Sequence, residues 1–138
     1  MQVHLNKINE AVHFEGSSKS TTTVVLIDGT PQIGGQGLGT CPMELVLMAL
    51  GSCGALNLVH LLKKQKQDLK SFSATVSGIC SEILPYVFIK IHITFTLSGS
   101  VDIVKVENAA ALAVKKYCPV HDMLVASGVE ITYSIFQA

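Results

Sequence analysis

The chain has 138 residues, of which 49% are hydrophobic and 14% charged, with ten basic and ten acidic side chains in balance. Ordinary soluble domains carry about 25% charged residues, so apolar surface is left that one subunit cannot cover, which predicts an oligomer with a large apolar interface. Zero net charge, with Lys63-Lys64-Gln65-Lys66 as the one basic run, argues against nucleic acid as a partner.

The length suits a single domain, residues 1–138, with room for a real core. Every basic residue is a lysine, so no guanidinium fork exists for carboxylates, phosphates or a thiolate. The N-terminal segment alternates like a strand and lacks the apolar centre of a secretory signal. A cytoplasmic location is expected, with the four cysteines reduced at rest and available for chemistry. The apolar run Leu45–Val59 is interrupted by Ser52 and Asn57 and falls short of the roughly 20 residues a bilayer demands. It reads as a buried core helix, and no membrane partner is expected.

In chain order, Val3–Phe14 and Thr22–Ile27 read as strands, with Glu15–Lys19 as their turn. Asp28–Pro31 and the glycine-rich Gly34–Gly39 form a loop. It lacks the Gly-Lys-Ser/Thr ending of a phosphate loop and reads as a flexible connector. A helix should begin at Pro42, because proline at the first helical position forfeits an N–H that is unpaired there anyway. Cys41 then becomes the cap, and Glu44 is placed to fold back on the terminus. The helix is apolar on all sides to about Leu62, which predicts enclosure by protein, before Lys63–Gln67 carries it into water.

Three strands alternate with period two. Phe72, Ala74, Val76, Gly78 and Cys80 share one face; Val87, Ile89, Ile91, Ile93, Phe95 and Leu97 another; Val129, Ile131, Tyr133 and Ile135 the last. Half-buried antiparallel pairing is expected. Between them Ile103, Val106, Ala110, Ala113 and Tyr117 mark an amphipathic helix, and a short helix begins at Pro119. The order β-β-α-β-β-α-α-β predicts an α+β fold of antiparallel sheets around a long central helix.

The candidate chemistry lies in the cysteines. Cys53 sits between Gly51 and Gly54, each costing about 1 kcal/mol in a helix relative to alanine. The glycines imply close approach of a second helix or a ligand, although a cysteine there can equally be a small core residue. Cys118 precedes Pro119 and caps a helix N-terminus, where the macrodipole favours a thiolate, and His121 in the first turn can add positive charge. Cys41 also precedes a helix-opening proline, making it a rival. Cys80 reads as core. Cys118-x-x-His121 with Cys53 or His60 supplies zinc-type ligands, but no second close pair exists, so no metal is expected. Asn57 and His60 follow Cys53 on its helix face, where packing or solvent is the simpler reading.

Pro42-Met43-Glu44-Leu45, the apolar helix holding Cys53, and Tyr117-Cys118-Pro119-Val120 together resemble the OsmC/Ohr family, the osmotically inducible and organic hydroperoxide resistance proteins. The resemblance covers essentially the whole chain. It implies an intertwined homodimer with two central helices wrapped by sheets, and thiol-dependent reduction of organic hydroperoxides without a cofactor. Cys53 would be the attacking cysteine and Cys118 the resolving one, with an external dithiol as reductant. Peroxidase members use an arginine to hold and orient; here Lys19 lies in a comparable region. They also place a glutamate directly after the proline; here Met43 stands there and Glu44 is one step on. Glu44, Lys19 and His121 are the candidate supporting residues. A small-molecule-binding protein or a redox sensor on the same fold is the alternative.

Overall fold

The computed structural model describes residues 1–138. Internal contacts divide them into Met1–Val46 and Leu47–Ala138.

In the first unit β1 (Val3–Lys7), β2 (Phe14–Ser18) and β3 (Val25–Ile27) form an antiparallel sheet in that order. The chain therefore reverses before Phe14, and residues placed in the turn by the sequence pattern form the central strand. Asn9 is the physical reason. Its Oδ1 accepts the amides of Ala11 at 3.0 Å and His13 at 3.1 Å, while the Ile8 amide donates to the His13 carbonyl at 3.0 Å. A side chain mimicking backbone in this way makes a tight turn without glycine or proline.

The loop after β3 is not a flexible connector. Asp28, 2% exposed, accepts the amides of Leu38 at 3.0 Å, Gln36 at 2.9 Å and Gly29 at 2.8 Å. The Leu38 amide first, and then that of Gln36, hold its carboxyl below the usual carboxylate range. A side chain at Gly35 would run into the Gly29 carbonyl. The signal for this role of Asp28 in the sequence is an aspartate opening a glycine-rich run.

Helix α1 (Pro42–Lys64) begins at the expected proline. The Cys41 amide donates to Glu44 Oε2 at 2.9 Å, half of a reciprocal capping arrangement.

In the second unit Leu50, Gly51, Gly54, Leu58 and Leu62 form the buried side of α1. A Cβ on Gly51 would lie 2.5 Å from Val76 Cγ2, and one on Gly54 would lie 3.3 Å from the Phe95 ring. The two glycines thus exist for close approach, and what approaches is a sheet. With 23 residues α1 is long and apolar enough to span a membrane by length and composition, contrary to the sequence expectation. Its buried side instead packs on protein. Its other face is open: Met48 is 55% and Leu56 73% exposed, with Ser52 and Val59 alongside. A single chain therefore leaves unfinished the enclosure expected of this helix.

The sheet comprises β4 (Asp68–Cys80), β5 (Phe88–Ser100) and β6 (Glu130–Gln137), with β5 central. β4 and β5 pair antiparallel, but β6 joins β5 parallel, so the all-antiparallel expectation fails for the last strand. The reason is the connection: α2 (Ile103–Lys115) and α3 (Pro119–Ala126) provide the long crossover that returns the chain to the start of β5. Ile91, Ile93, Phe95 and Leu97 are buried with Val106, Ala109, Ala110, Ala113 and Val114 of α2. The Phe95 ring lies 5.7 Å from that of Phe72 and 6.3 Å from that of Tyr133.

An irregularity at Ile79/Cys80 pairs Ile79 with Lys90 but Cys80 with Phe88, leaving Ile89 unopposed. Such a bulge reverses the side-chain alternation beyond it. Phe88 is consequently buried, and Val87 and Ile89 are exposed. Cys80, the last residue of β4, is exposed rather than a core residue. The molecule is the α+β fold that the order of elements predicted.

Candidate active site

Cys53 occupies the middle of α1, half-buried, with Gly54 bringing Phe95 and Val114 up to the next residue. The segment opposite is made by the end of α2. There the amides of Lys116 and Tyr117 both donate to the Leu112 carbonyl at 3.0 Å, which closes the helix and turns the chain toward α3. Cys118 is the N-cap of α3; its Sγ accepts the His121 amide at 3.3 Å, and it is 2% exposed. The Cys53 thiol is a neighbour of Cys118 and helps to push its thiol pKa up. Both are free thiols.

The tie between the two elements is Asn57, one turn beyond Cys53. Its Nδ2 donates to the Tyr117 carbonyl at 3.2 Å, across 60 residues of sequence. This role was invisible in the sequence, where Asn57 was only a polar break in an apolar helix.

Helix position alone predicted an acidic Cys118. The thiol is instead pushed up from 9.0 to about 11, first by burial and then by the hydrogen bond with Cys53. The amides of His121 and Val120 pull the other way and are outweighed, because a charge removed from water loses more than two backbone dipoles return. Cys118 thus carries its proton at neutral pH.

That shift has a testable sign. Below pH 9.0 the Cys118 thiol is protonated in the folded and unfolded states alike. From there toward about 11 the unfolded chain releases this proton first, so the unfolded state is favoured as pH rises. Wild-type stability in urea should fall more between about pH 8 and about pH 10 than that of Cys118→Ala. Equal falls would contradict the assignment.

His121 reaches Cys118 through its amide alone; its Nδ1 is 3.0 Å from Asp122 Oδ1, with the ring 12% exposed. Glu44 is engaged by the Cys41 amide, and Cys41 itself is half-buried. Lys19 is exposed, directly after β2 in the first unit. His60 is exposed on α1, and Cys80 lies on the surface. No three His, Cys, Asp or Glu side chains converge to hold a metal ion.

The thiol pair, the helix that bears Cys53 and all but the end of β6 in the sheet beneath it lie within a match to the OsmC-like protein family spanning residues 35–134. The chain belongs to the OsmC-like family. Protein YhfA of Escherichia coli K12 is 36% identical over 94 residues, covering 67% of this chain and 69% of YhfA. A hypothetical protein from Aquifex aeolicus VF5 superposes with a TM-score of 0.81 at 28% identity, over 99% of this chain and 96% of that one. An organic hydroperoxide resistance protein OsmC from Legionella pneumophila superposes with a TM-score of 0.70 over 99% of this chain and 97% of that one. At 17% identity the last shares the OsmC-like fold and carries no further argument about this chain's chemistry.

Proposed function

We propose that this OsmC-like protein is a homodimeric thiol peroxidase that reduces organic hydroperoxides through Cys53 and Cys118. The observation that carries the reading is the meeting of the two sulfurs, one in mid-helix and one at a helix cap, with Cys118 held as the protonated partner. Cys53 is the more accessible thiol and is assigned the attack. Its sulfur takes the terminal peroxide oxygen, the O–O bond breaks, and the organic alcohol leaves with the thiol proton. Cys118 then attacks the Cys53 sulfenic acid. An S–S bond forms, and the departing hydroxide leaves as water with the proton that Cys118 retained. An external dithiol returns two electrons and two protons. The cycle requires a compartment that keeps thiols reduced, consistent with the cytoplasm.

The homodimer is supported by the open face of α1. Met48, Leu56 and Val59 are apolar and exposed in one chain, and such a stripe is stabilised at about 25 cal/mol per Å² once a second copy covers it. The same apolar surroundings favour an organic peroxide over hydrogen peroxide.

A second reading, binding or sensing without turnover, has one specific observation behind it. The chain has no arginine, and a lysine offers a point charge in place of a fork that orients a peroxide. A brief pulse of cumene hydroperoxide, with hydrogen peroxide in parallel, separates the two when followed by peptide mass mapping. The peroxidase should acquire a Cys53–Cys118 disulfide rapidly, and faster with the organic peroxide. Unmodified thiols, or oxidation confined to Cys41 or Cys80, would leave the binding reading in its place.

A further inference from the structure

We infer that Asn57 is a positioning residue for the disulfide step, holding the Cys118 segment in register with α1 so that Cys118 can attack the Cys53 sulfur. The inference rests on the assignment of Cys53 and Cys118 as a reacting pair, and it adds a part to that pair.

Three observations converge. First, the segment between α2 and α3 has no strand or helix of its own to locate it. Tyr117 lies beyond Lys115, the last residue of α2, and before Pro119, the first of α3. Second, the Tyr117 carbonyl takes the Asn57 amide at 3.2 Å, the direct polar bond from α1 to that segment. It fixes the residue immediately before Cys118. Third, Asn57 follows Cys53 by one helical turn, so the two side chains lie on the same face of α1. The hydrogen bond therefore ties the residue before Cys118 to the helix turn beyond Cys53, and it adds a polar restraint to the packing of Val114 at Gly54.

The backbone contacts of Cys118, from the His121 amide at 3.3 Å and from the Val120 amide, come from its own helix and cannot locate α3 against α1. Asn57 also supplies a donor, which the carbonyl requires. An aspartate of the same size would present an acceptor to an acceptor.

The role is separable from the attack. Cys53 is fixed by α1 itself, so losing the Asn57 bond leaves its reaction with an external electrophile unaltered. Formation of the intramolecular disulfide depends on the approach of two sulfurs, and a misplacement of about 1 Å can cost on the order of a hundredfold in rate.

The test uses full-length protein carrying Cys41→Ser and Cys80→Ser, with dithiobis(nitrobenzoate) as the probe. Attack by Cys53 breaks the reagent's disulfide and releases one nitrobenzoate thiolate. Cys118 then loses its proton to solvent, attacks the Cys53 sulfur of the mixed disulfide and releases the second thiolate. Asn57→Asp and Asn57→Leu should leave the first, second-order release within about twofold while slowing the second, first-order release about tenfold or more. An unchanged second release in both variants overturns the inference. A parallel fall of both releases overturns it too, because Asn57 would then govern access to Cys53.

Equilibration of the Cys53–Cys118 disulfide with glutathione gives a second readout that a change in folding rate does not affect. The effective concentration of Cys118 should fall by the same factor as the rate, and an unaltered equilibrium constant counts against the inference. No peroxide enters either assay. Absence of peroxide turnover with normal nitrobenzoate release would defeat the proposed function alone, whereas normal turnover with an insensitive second release would defeat the role of Asn57 alone.

Discussion

Cys53→Ser is expected to abolish hydroperoxide reduction, and Cys118→Ser to stop the cycle at its midpoint. In the first variant the nucleophile is gone, and losing a nucleophile on which a covalent step depends removes on the order of 10³-fold or more of the rate. Cys118 cannot replace it: it is 2% exposed and holds its proton up to about pH 11, so its thiolate is scarce and screened from substrate. In Cys118→Ser the first turnover should proceed at the wild-type rate. The Cys53 sulfenic acid then persists, because the neighbouring sulfur that would condense with it has been replaced. Stopped-flow loss of cumene hydroperoxide, with dimedone trapping and mass spectrometry of the Cys53 peptide, reads both variants. One adduct per chain in Cys118→Ser and none in Cys53→Ser is the expected pattern. Wild-type turnover that never exceeds the Cys53→Ser background would sink the peroxidase reading. Full multiple turnover by Cys118→Ser would sink the assignment of a resolving cysteine.

Phe95→Ala is expected to produce the largest loss of stability, about 3–5 kcal/mol. Phe95 is fully buried in the central strand, touches the rings of Phe72 and Tyr133, and faces Gly54. Removing it opens a void beneath the part of α1 that bears Cys53. Such a loss is a large share of the roughly 5–15 kcal/mol that holds a domain together, so the denaturant midpoint should drop sharply and disulfide formation should slow. The packing argument also predicts coupling. Gly54→Leu alone forces a side chain into the Phe95 ring and should cost about 1–3 kcal/mol. In the Phe95→Ala background the same leucine has space to occupy and should recover stability. Equilibrium urea unfolding of the two single variants and the double variant checks this. A loss below about 1 kcal/mol for Phe95→Ala, or strict additivity in the double variant, would mean that Gly54 and Phe95 do not pack as described.

Much of the fold was legible because it depends on periodicity and punctuation. Pro42 marked the start of α1, Pro119 the start of α3, and alternate apolar residues marked β4, β5 and β6. The OsmC-like membership was legible from Pro42–Leu45, Cys53 and Tyr117–Val120. Two glycines beside Cys53 announced a close approach, although they did not say that Val76 and Phe95 of the sheet were what approached.

Most of what failed to be legible depends on contacts between residues distant in sequence. The turn before Phe14 is the local exception: Asn9 makes it by bonding to backbone two and four residues on, without the glycine or proline that would have marked it, so the alternation ran on past it. The bulge at Ile79/Cys80 puts its extra residue, Ile89, in β5 and reverses parity there, so Phe88 is buried in place of Val87 and Ile89. Parallel pairing of β6 follows from where the crossover through α2 and α3 returns, which strand patterning does not encode. The acidity of Cys118 was misjudged for the same reason. A helix N-terminus is readable locally and favours the thiolate, whereas burial and a neighbouring Cys53 thiol arise only on folding and outweigh it. By itself the sequence determined the helices and the strands from β4 onward, the family, and which two cysteines to propose as a pair. The tertiary structure alone decided that they meet, which of them keeps its proton, and that Asn57 joins the elements that carry them, because distances across 60 residues of chain are set by packing and not by local propensity.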